Sequence, residues 1–260
     1  MAVDRDRLVS ELRKSRKYRH LCDDILLWAA TLAAERQPHD RTALKFAKRK
    51  LHQAFGSFVE DRKRLMGALA RAAAAETDSA FMEALTDAIA AHASTAERLE
   101  DPGGLWRCVQ SVAGPNPRLL DLGCGIAAAT LPWSGWPADL HYVGIDLDAE
   151  VASALQGALD AHYPKVCLET GDVRQPQNWP EADVVILAKL LPTLERQQPG
   201  AAAQLVRQLD APVVIATFPI RSLGGHDRGM LEQYTALADT VLGPGVTEVV
   251  PGELIRIVRR

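Results

Sequence analysis

The chain has 260 residues, of which 47% are hydrophobic and 24% are charged, and its formal net charge is −3. These values are ordinary for a globular protein with one core, or with a core and a smaller appended module. No stretch runs long enough without a charge to cross a bilayer, and the opening segment is too polar for a signal peptide. We therefore expect a cytoplasmic protein with no membrane partner.

The charge is unevenly distributed along the chain. Residues 1–64 contain 16 Lys/Arg and 9 Asp/Glu, a local net charge of +7, whereas the remainder carries a net charge of −10. Such asymmetry favours a polyanion-binding module attached to an acidic body. A solvated helical surface would show the same counts, so charge alone leaves both interpretations open.

Residues 1–100 have the pattern of helices. Apolar residues recur at helical spacing, as at Leu8 and Leu12 and again at Leu21, Ile25 and Leu26. The sequence after Pro38 predicts a new helix start, and the alanine-rich stretch 68–93 predicts further helix. The first predicted domain is therefore a helical, basic module over residues 1–100.

The pattern changes after two glycine- and proline-containing breaks near residues 101–104 and 114–117. Short apolar runs then alternate with helical stretches, which predicts a doubly wound α/β domain over residues 101–260 with a parallel sheet. The last two runs, separated by Pro251 and Gly252, predict an antiparallel hairpin. The predicted strands are residues 118–122, 142–145, 166–169, 184–187, 213–217, 246–250 and 253–258.

The four cysteines are scattered, with no C-x-x-C pair and no histidine at ligand spacing: Cys22, Cys108, Cys124 and Cys167. This spacing favours reduced thiols and gives no reason to expect a zinc site or a disulfide framework. No metal site is predicted.

The strongest local signal is LLDLGCG at residues 119–125, where a strand runs into a glycine turn, followed by a helix expected to begin within residues 127–130. Glycine lets the backbone turn sharply and approach a ligand closely. Asp121, at the strand end, can accept a hydrogen bond from the ammonium of a methionine moiety. The motif therefore predicts a site for the methyl donor S-adenosylmethionine.

A dinucleotide site is the main alternative for this motif. Gly123-x-Gly125-x-x-Ala128 also satisfies the G-x-G-x-x-G/A fingerprint, with Asp146 at the distance of a ribose contact. The carboxylate of Asp121 would be repelled by the negative charge of a pyrophosphate. In addition, Asp172 follows the third strand, and the chain ends in a hairpin. These three features favour the methyl donor, although each aspartate alone could be a turn or capping residue.

The chain resembles the aminoglycoside-resistance 16S ribosomal RNA methyltransferases of the Arm/Rmt type, which form N7-methylguanosine in the decoding site. The matching segments follow in the same order along the chain. They are SRKYRHLC at 15–22, HASTAERL at 92–99, DLGCG at 121–125, KLLPTLER at 189–196 and FPIRSLGG at 218–225.

The resemblance implies a class I S-adenosylmethionine-dependent methyltransferase fold, a Rossmann-like doubly wound sheet with a C-terminal antiparallel hairpin, plus the N-terminal helical domain. Arg98 would bind the methionine carboxylate, with His92 and Thr95 in the same pocket. The full predicted cofactor-binding set is His92, Thr95, Arg98, Asp121, Gly123, Gly125, Asp146, Leu147, Asp172, Val173 and Leu190.

The same resemblance implies residues that border the target base and residues that dock on RNA. Lys189, Phe218, Arg221 and Ser222 form the predicted catalytic set. Tyr18 could stack on a base or could equally be a core residue. The predicted RNA-binding set, which would position the protein on 16S rRNA in the 30S subunit and not on DNA, is Arg13, Lys14, Arg16, Lys17, Tyr18, Arg19, Arg49 and Lys50.

The implied reaction needs no general base, because guanine N7 carries a lone pair and no proton. The segment Ala188-Lys189-Leu190-Leu191-Pro192 lacks the N/D-P-P-Y/F motif of exocyclic-amine methyltransferases and contains no cysteine for a covalent mechanism. The chain departs from the family at residues 126–129 (IAAA), where an asparagine–proline pair is common, and at Ala188, where an aromatic residue is common.

The predicted function is methyl transfer to guanine N7 in the 16S decoding site, conferring aminoglycoside resistance, by a monomer. Two alternatives remain open. One is a small-molecule methyltransferase or an NAD-dependent enzyme in which the helices form a lid. The other is a non-catalytic RNA-binding protein with a degenerate methyltransferase fold.

Overall fold

A computed structural model describes residues 3–56, 61–175, 178–220, 230–250 and 252–260. The predicted residues Arg221 and Ser222 lie outside this part of the chain. Within it, no helix is long and apolar enough to span a bilayer.

Three helices form the N-terminal module, and a short π-helical turn follows them. The side chain of Asp4 caps the first helix by accepting hydrogen bonds from the amides of Asp6 and Arg7. The third helix begins after Pro38, as predicted. The bounds are α1 Arg5–Arg13, α2 Asp23–Arg36, α3 Asp40–Leu51 and the π turn His52–Gly56.

The alanine-rich stretch forms two helices and not one, because Thr77 caps a second start by accepting a hydrogen bond from the amide of Ala80. These helices pack against the sheet, whereas α1–α3 enclose a separate core that ends at Phe55. The domain boundary at residue 100 stays a prediction. The bounds are α4 Arg62–Ala73, α5 Asp78–Ala90, α6 Ala93–Ala96 and α7 Gly104–Gln110.

Seven strands form one sheet in the order β3-β2-β1-β4-β5-β7-β6. The first five are parallel, and β7 pairs antiparallel with β5 and β6. The predicted doubly wound sheet with a terminal hairpin is confirmed, and every predicted strand is present. The bounds are β1 Arg118–Leu122, β2 His141–Asp146, β3 Val166–Thr170, β4 Val184–Ala188, β5 Val213–Pro219, β6 Val246–Val250 and β7 Glu253–Arg259.

The segment after the glycine turn is a helix, as predicted, and it is of the 3-10 type, Ala127–Trp133. Pro132 lacks the amide that an α-helix would use at this point, and the Thr130 hydroxyl donates to the carbonyl of Ala127 at 2.7 Å. The other helices cover the two faces of the sheet: α8 Ala149–Leu159, α9 Leu190–Gln197, α10 Ala201–Gln208 and α11 Met230–Leu242.

The N-terminal module is attached to the sheet at the turn between β2 and α8. The amide of Cys22 donates to the carbonyl of Leu147 at 2.9 Å, and the amide of Ala149 donates to the carbonyl of His20 at 3.0 Å. Asp148, which caps α8, also forms an ion pair with Arg62 at the start of α4. The module is therefore fixed beside the carboxyl end of β2.

Candidate active site

A cleft that is partly open to solvent lies at the carboxyl ends of the parallel strands. This edge is where open α/β sheets bind ligands, because successive strands end there beside the turns that follow them. Its lining comes from the turns after β1, β2, β3 and β4, from α9, and from the N-terminal module through Ala54 and Phe55.

The turn after β1 is built from two glycines with left-handed backbone, Gly123 at φ 69° and Gly125 at φ 52°. A Cβ at Gly123 would lie 2.7 Å from Leu190 Cδ1, and one at Gly125 would lie 2.9 Å from His92 Cε1. Both the backbone conformation and the close neighbours therefore require glycine. The absence of side chains also leaves this floor of the cleft open to a ligand.

Carboxylates follow β2 and β3 at the same edge. One oxygen of Asp146 accepts from the amide of Gly125 at 2.9 Å, and the other accepts from the amide of Leu147 at 2.7 Å. Burial raises the pKa of Asp146, and these amide hydrogen bonds oppose the rise. Asp172, which is 1% exposed, accepts from the backbone amide and the guanidinium of Arg174.

Asp121, the penultimate residue of β1, lies directly behind the lining of the cleft and is fully buried. Its Oδ2 accepts from the hydroxyl of Tyr142 at 2.8 Å, and Oδ1 has no partner among the described residues. Burial raises the pKa of Asp121 to about 7, although the Tyr142 hydrogen bond and the positive charge of Arg98 lower it. An unpartnered buried oxygen is costly and indicates a site for a donor that the protein does not supply.

His92 forms the wall opposite the glycine turn. Its Nδ1 lies 2.9 Å from the hydroxyl of Thr95 and 3.3 Å from that of Ser94. Burial lowers the pKa of His92 to about 4, so the ring is neutral at physiological pH. It can therefore pack against a cationic ligand without repelling it.

Lys189, directly after β4, is the non-glycine residue with left-handed backbone in the described part of the chain, at φ 56°. The amide of Lys189 donates to the carbonyl of Thr217 at 3.0 Å, which stabilises this conformation. Its ammonium donates to the carbonyl of Ser94 at 2.9 Å and also contacts Glu97 and Glu253.

A scan against family models matches residues 14–241 to the model described as "Ribosomal RNA methyltransferase (FmrO)". The chain belongs to this family. The predicted family is therefore confirmed, and the NAD-dependent alternative is set aside.

Curated relatives and solved structures agree with this assignment. A 16S rRNA (guanine(1405)-N(7))-methyltransferase of Frankia casuarinae is 32% identical, over 98% of this chain and 93% of the relative. One of the same name from Micromonospora echinospora is 32% identical, over 88% of this chain and 86% of the relative. The 16S rRNA methyltransferase RmtF, solved with S-adenosyl-L-homocysteine, is 28% identical with a TM-score of 0.86, over 100% of this chain and 99% of that one.

The chain is thus a methyltransferase of this family with the fold of enzymes that use S-adenosylmethionine. The predicted fold class and enzyme class are confirmed, and S-adenosylmethionine as the cofactor is confirmed at this level. Within the described residues, no group of three or more His, Cys, Asp or Glu side chains is placed to hold a metal ion.

Most of the predicted cofactor and catalytic residues meet at the cleft. Thr95 lies behind the lining and contacts it through His92. The predicted residues that line the cleft are His92, Gly123, Gly125, Asp146, Leu147, Asp172, Val173, Lys189 and Leu190.

Like Thr95 and Asp121, the predicted residues Arg98 and Phe218 are absent from the lining of the cleft. The guanidinium of Arg98 is paired with Glu253, Nε to Oε1 at 2.9 Å and Nη2 to Oε2 at 3.1 Å, so two of its nitrogens are engaged by the protein. Phe218 is fully buried and stacks on Tyr234 at 5.8 Å between ring centroids. The expectation that Phe218 borders a target base was wrong, because β5 directs its side chain into the core.

The predicted RNA-binding cations are exposed or half-buried on the N-terminal module. Several have protein partners: Arg13 pairs with Asp23, Lys14 pairs with Glu11, and Lys17 Nζ lies 3.1 Å from His52 Nδ1. Arg16, Arg19 and Arg49 are exposed, whereas Lys50 is half-buried.

Tyr18 is the exception in this set. It is 5% exposed, and its hydroxyl donates to the carbonyl of Lys48 at 3.0 Å. Its ring belongs to the core of the N-terminal module, so the prediction that Tyr18 stacks on RNA was wrong and the core alternative holds.

Sequence reasoning missed three contributions to the site. Phe55 reaches the cleft from the N-terminal module. The guanidinium carbon of Arg174 lies 3.8 Å from the ring centroid of Trp28, and Glu253 pairs with Arg98. Trp28 lies near the basic cluster in the sequence, but no local pattern connects it to Arg174, which follows β3 more than a hundred residues later.

Proposed function

We propose that this chain transfers a methyl group from S-adenosylmethionine to guanine N7 in the decoding site of 16S rRNA, at the position that the relatives' names number 1405. The observation that carries the proposal is the position of the cleft, with three aspartates at the ends of β1, β2 and β3, directly beside the basic helices of the N-terminal module. A small-molecule enzyme would not need the local net charge of +7 that residues 1–64 carry.

The residues present suit this cofactor. The unpartnered Oδ1 of Asp121 is a ready acceptor for the ammonium of the methionine end. Asp146 and Asp172 would accept from the ribose hydroxyls and the adenine amine, and the glycines leave room for the ligand backbone. When bound, S-adenosylmethionine supplies an electrophilic methyl group on a sulfonium.

The chain's own residues then have little proton chemistry to perform. Guanine N7 attacks through a lone pair and carries no proton, so positioning and exclusion of water account for most of the catalysis, to which orientation alone can contribute about 7–11 kcal/mol. Lys189 would border the target base, and its contacts with Glu97 and Glu253 hold its ammonium in place. The predicted role of residues 221 and 222 lies outside the described part of the chain.

Docking on RNA would use the exposed cations of α1–α3 and the turns between them. Contacts with phosphates fix position and orientation without reading sequence, so recognition of the guanine would depend on the shape of the assembled subunit. We propose that the monomeric protein acts on the 30S subunit. The added methyl group and positive charge would then exclude polycationic aminoglycosides from the decoding site.

The test is borohydride–aniline cleavage of 16S rRNA from 30S subunits incubated with the protein and S-adenosylmethionine, followed by primer extension. We expect a stop at guanine 1405, absent without cofactor and absent with Asp121→Asn, which keeps an acceptor for Tyr142. Cells producing the wild-type protein should tolerate kanamycin and gentamicin, but not an antibiotic of another class.

The two alternatives predict different results. A small-molecule methyltransferase would bind S-adenosylhomocysteine and leave 16S rRNA uncleaved. A non-catalytic RNA-binding protein would bind 30S subunits, bind no S-adenosylhomocysteine and also leave the RNA uncleaved.

A further inference from the structure

Glu253, the first residue of β7, joins two cations that come from distant parts of the chain. Glu253 is 4% exposed, and its carboxylate forms a bidentate ion pair with Arg98 at 2.9 and 3.1 Å. The same carboxylate lies 3.1 Å from the ammonium of Lys189. Such two-pronged pairs fix the plane of the guanidinium as well as its position.

Arg98 depends on this contact for its position. Its side chain is 10% exposed, and its charge lies close enough to Asp121 to lower the pKa of that carboxyl group. A buried guanidinium without a counter-charge is strongly unfavourable, so Glu253 determines where this one lies. The pair uses Nε and Nη2, whereas Nη1 makes no hydrogen bond to any residue in the described ranges.

Glu253 is itself held between two cations. Arg98 and Lys189 flank its carboxylate from two sides. Despite burial, these cations lower the pKa of Glu253 to about 2, so it stays ionised at physiological pH. The contact therefore connects the terminal hairpin to the turn after β4 and to the linker after α6.

We propose that Glu253 is a positioning residue for the methionine end of the cofactor: it holds the guanidinium of Arg98 beside Asp121, with Nη1 left to bind the methionine carboxylate. The inference rests on the proposed use of S-adenosylmethionine. Asp121 and Arg98 would then bind the ammonium and the carboxylate of the same amino-acid end, while Glu253 touches neither and acts through Arg98.

This role predicts a loss confined to ligands that carry the amino-acid end. Glu253→Gln replaces one acceptor oxygen with an NH₂ group that faces the Nη2 donor, so the two-pronged pair is broken. We expect S-adenosylhomocysteine to bind about 10-fold more weakly, the order of one misaligned charge-assisted hydrogen bond. Methylthioadenosine, which lacks the amino-acid end, should bind within about twofold of wild type, because its contacts do not include Arg98.

The experiment is calorimetric titration of the full-length chain with both ligands. The matched control is Asp239→Asn, which removes the counter-charge of Arg256, the buried arginine of β7. This control should affect neither ligand. Arg98→Gln combined with Glu253→Gln should bind S-adenosylhomocysteine no more weakly than Arg98→Gln alone, because Glu253 acts through Arg98.

Glu253→Asp keeps the charge and provides a second, better-folding variant, with a smaller loss of about threefold confined to S-adenosylhomocysteine. The inference is overturned if Glu253→Gln binds S-adenosylhomocysteine as tightly as wild type or more tightly. It is equally overturned if both ligands weaken together, or if the effects of Arg98 and Glu253 add. Failure of the proposed function is a separate result, since 16S rRNA would remain uncleaved while these ligands still bind.

Discussion

The hydroxyl of Tyr142 on β2 donates a hydrogen bond of 2.8 Å to Oδ2 of Asp121 on β1, while Oδ1 of the same carboxylate is buried without a partner among the described residues. Oδ2 thus has a hydrogen-bond donor within the fold, whereas Oδ1 meets neither a donor from the described residues nor bulk water. Burial raises the pKa of this group to about 7, so its charge state changes near neutral pH.

The affinity for S-adenosylhomocysteine should increase about 10-fold as the pH rises from about 5.5 to about 7.5, because the ammonium of the ligand is attracted to ionised Asp121. Calorimetric titration across this range measures the effect. Methylthioadenosine, which lacks the ammonium, and Asp121→Asn should both show a flat profile. A wild-type profile that Asp121→Asn reproduces would contradict the assignment.

The raised pKa of Asp121 has the opposite effect on the free energy of unfolding, which should decrease as the pH rises. The folded chain retains a proton on Asp121 that the unfolded chain, with the ordinary pKa of 3.8, releases. Its contribution to stability therefore disappears as the pH rises from about 4 through about 7. Urea unfolding of the ligand-free protein should show that Asp121→Asn removes part of this decline at about pH 7.5, and equal pH dependence in both proteins would contradict it.

Gly125→Ala should abolish most cofactor binding, whereas Gly135→Ala should not. Both glycines have left-handed backbone, so both substitutions should lower the free energy of unfolding by about 1–2 kcal/mol. The new Cβ at residue 125 would lie 2.9 Å from His92 Cε1, but at residue 135 the nearest atom is Gln110 Nε2 at 3.9 Å. Thermal unfolding and titration with S-adenosylhomocysteine separate the two effects, and equal affinities would contradict the prediction.

Trp28→Leu should lower the affinity for S-adenosylhomocysteine and for methylthioadenosine to the same extent, about threefold to tenfold. The Trp28 ring packs against the guanidinium of Arg174, which in turn donates a hydrogen bond to Asp172. This equal loss differs from the selective loss expected at Glu253. Phe46→Leu is a matched control, since that ring lies under Arg49 at 5.1 Å on the N-terminal module. Titration of both variants checks the prediction, which fails if Phe46→Leu has the same effect.

Replacing Arg16 and Arg19 together by Glu should weaken binding to 30S subunits and reduce its salt dependence, by about one unit of logarithmic slope for each phosphate that the protein no longer neutralises. Affinity for S-adenosylhomocysteine should be unchanged. The control is Lys165→Glu with Arg207→Glu, which makes the same charge change at exposed residues outside the N-terminal module. Filter binding at several salt concentrations would contradict the proposed docking surface if both pairs behaved alike.

The sequence by itself determined the elements of the sheet and the turns at its carboxyl edge. Whether a short apolar run bounded by glycine, proline and aspartate forms a strand depends mainly on residues that are neighbours in the sequence. The strands β1–β7 therefore appear where the pattern predicts them. The same holds for Gly123, Gly125 and Asp146, because their position after a strand follows from local order. The helix after the glycine turn also begins where the pattern predicts it, and Pro132 makes it a 3-10 helix.

Tertiary structure alone decided which distant side chains meet. Arg98 and Glu253 are 155 residues apart, and no local pattern shows that the hairpin brings a carboxylate to that guanidinium. Tyr18 and Phe218 carry side chains that suit either a nucleic-acid surface or a core, and only packing buries them. Periodicity encodes which face of an element is apolar, whereas partners across the fold depend on how the elements pack together.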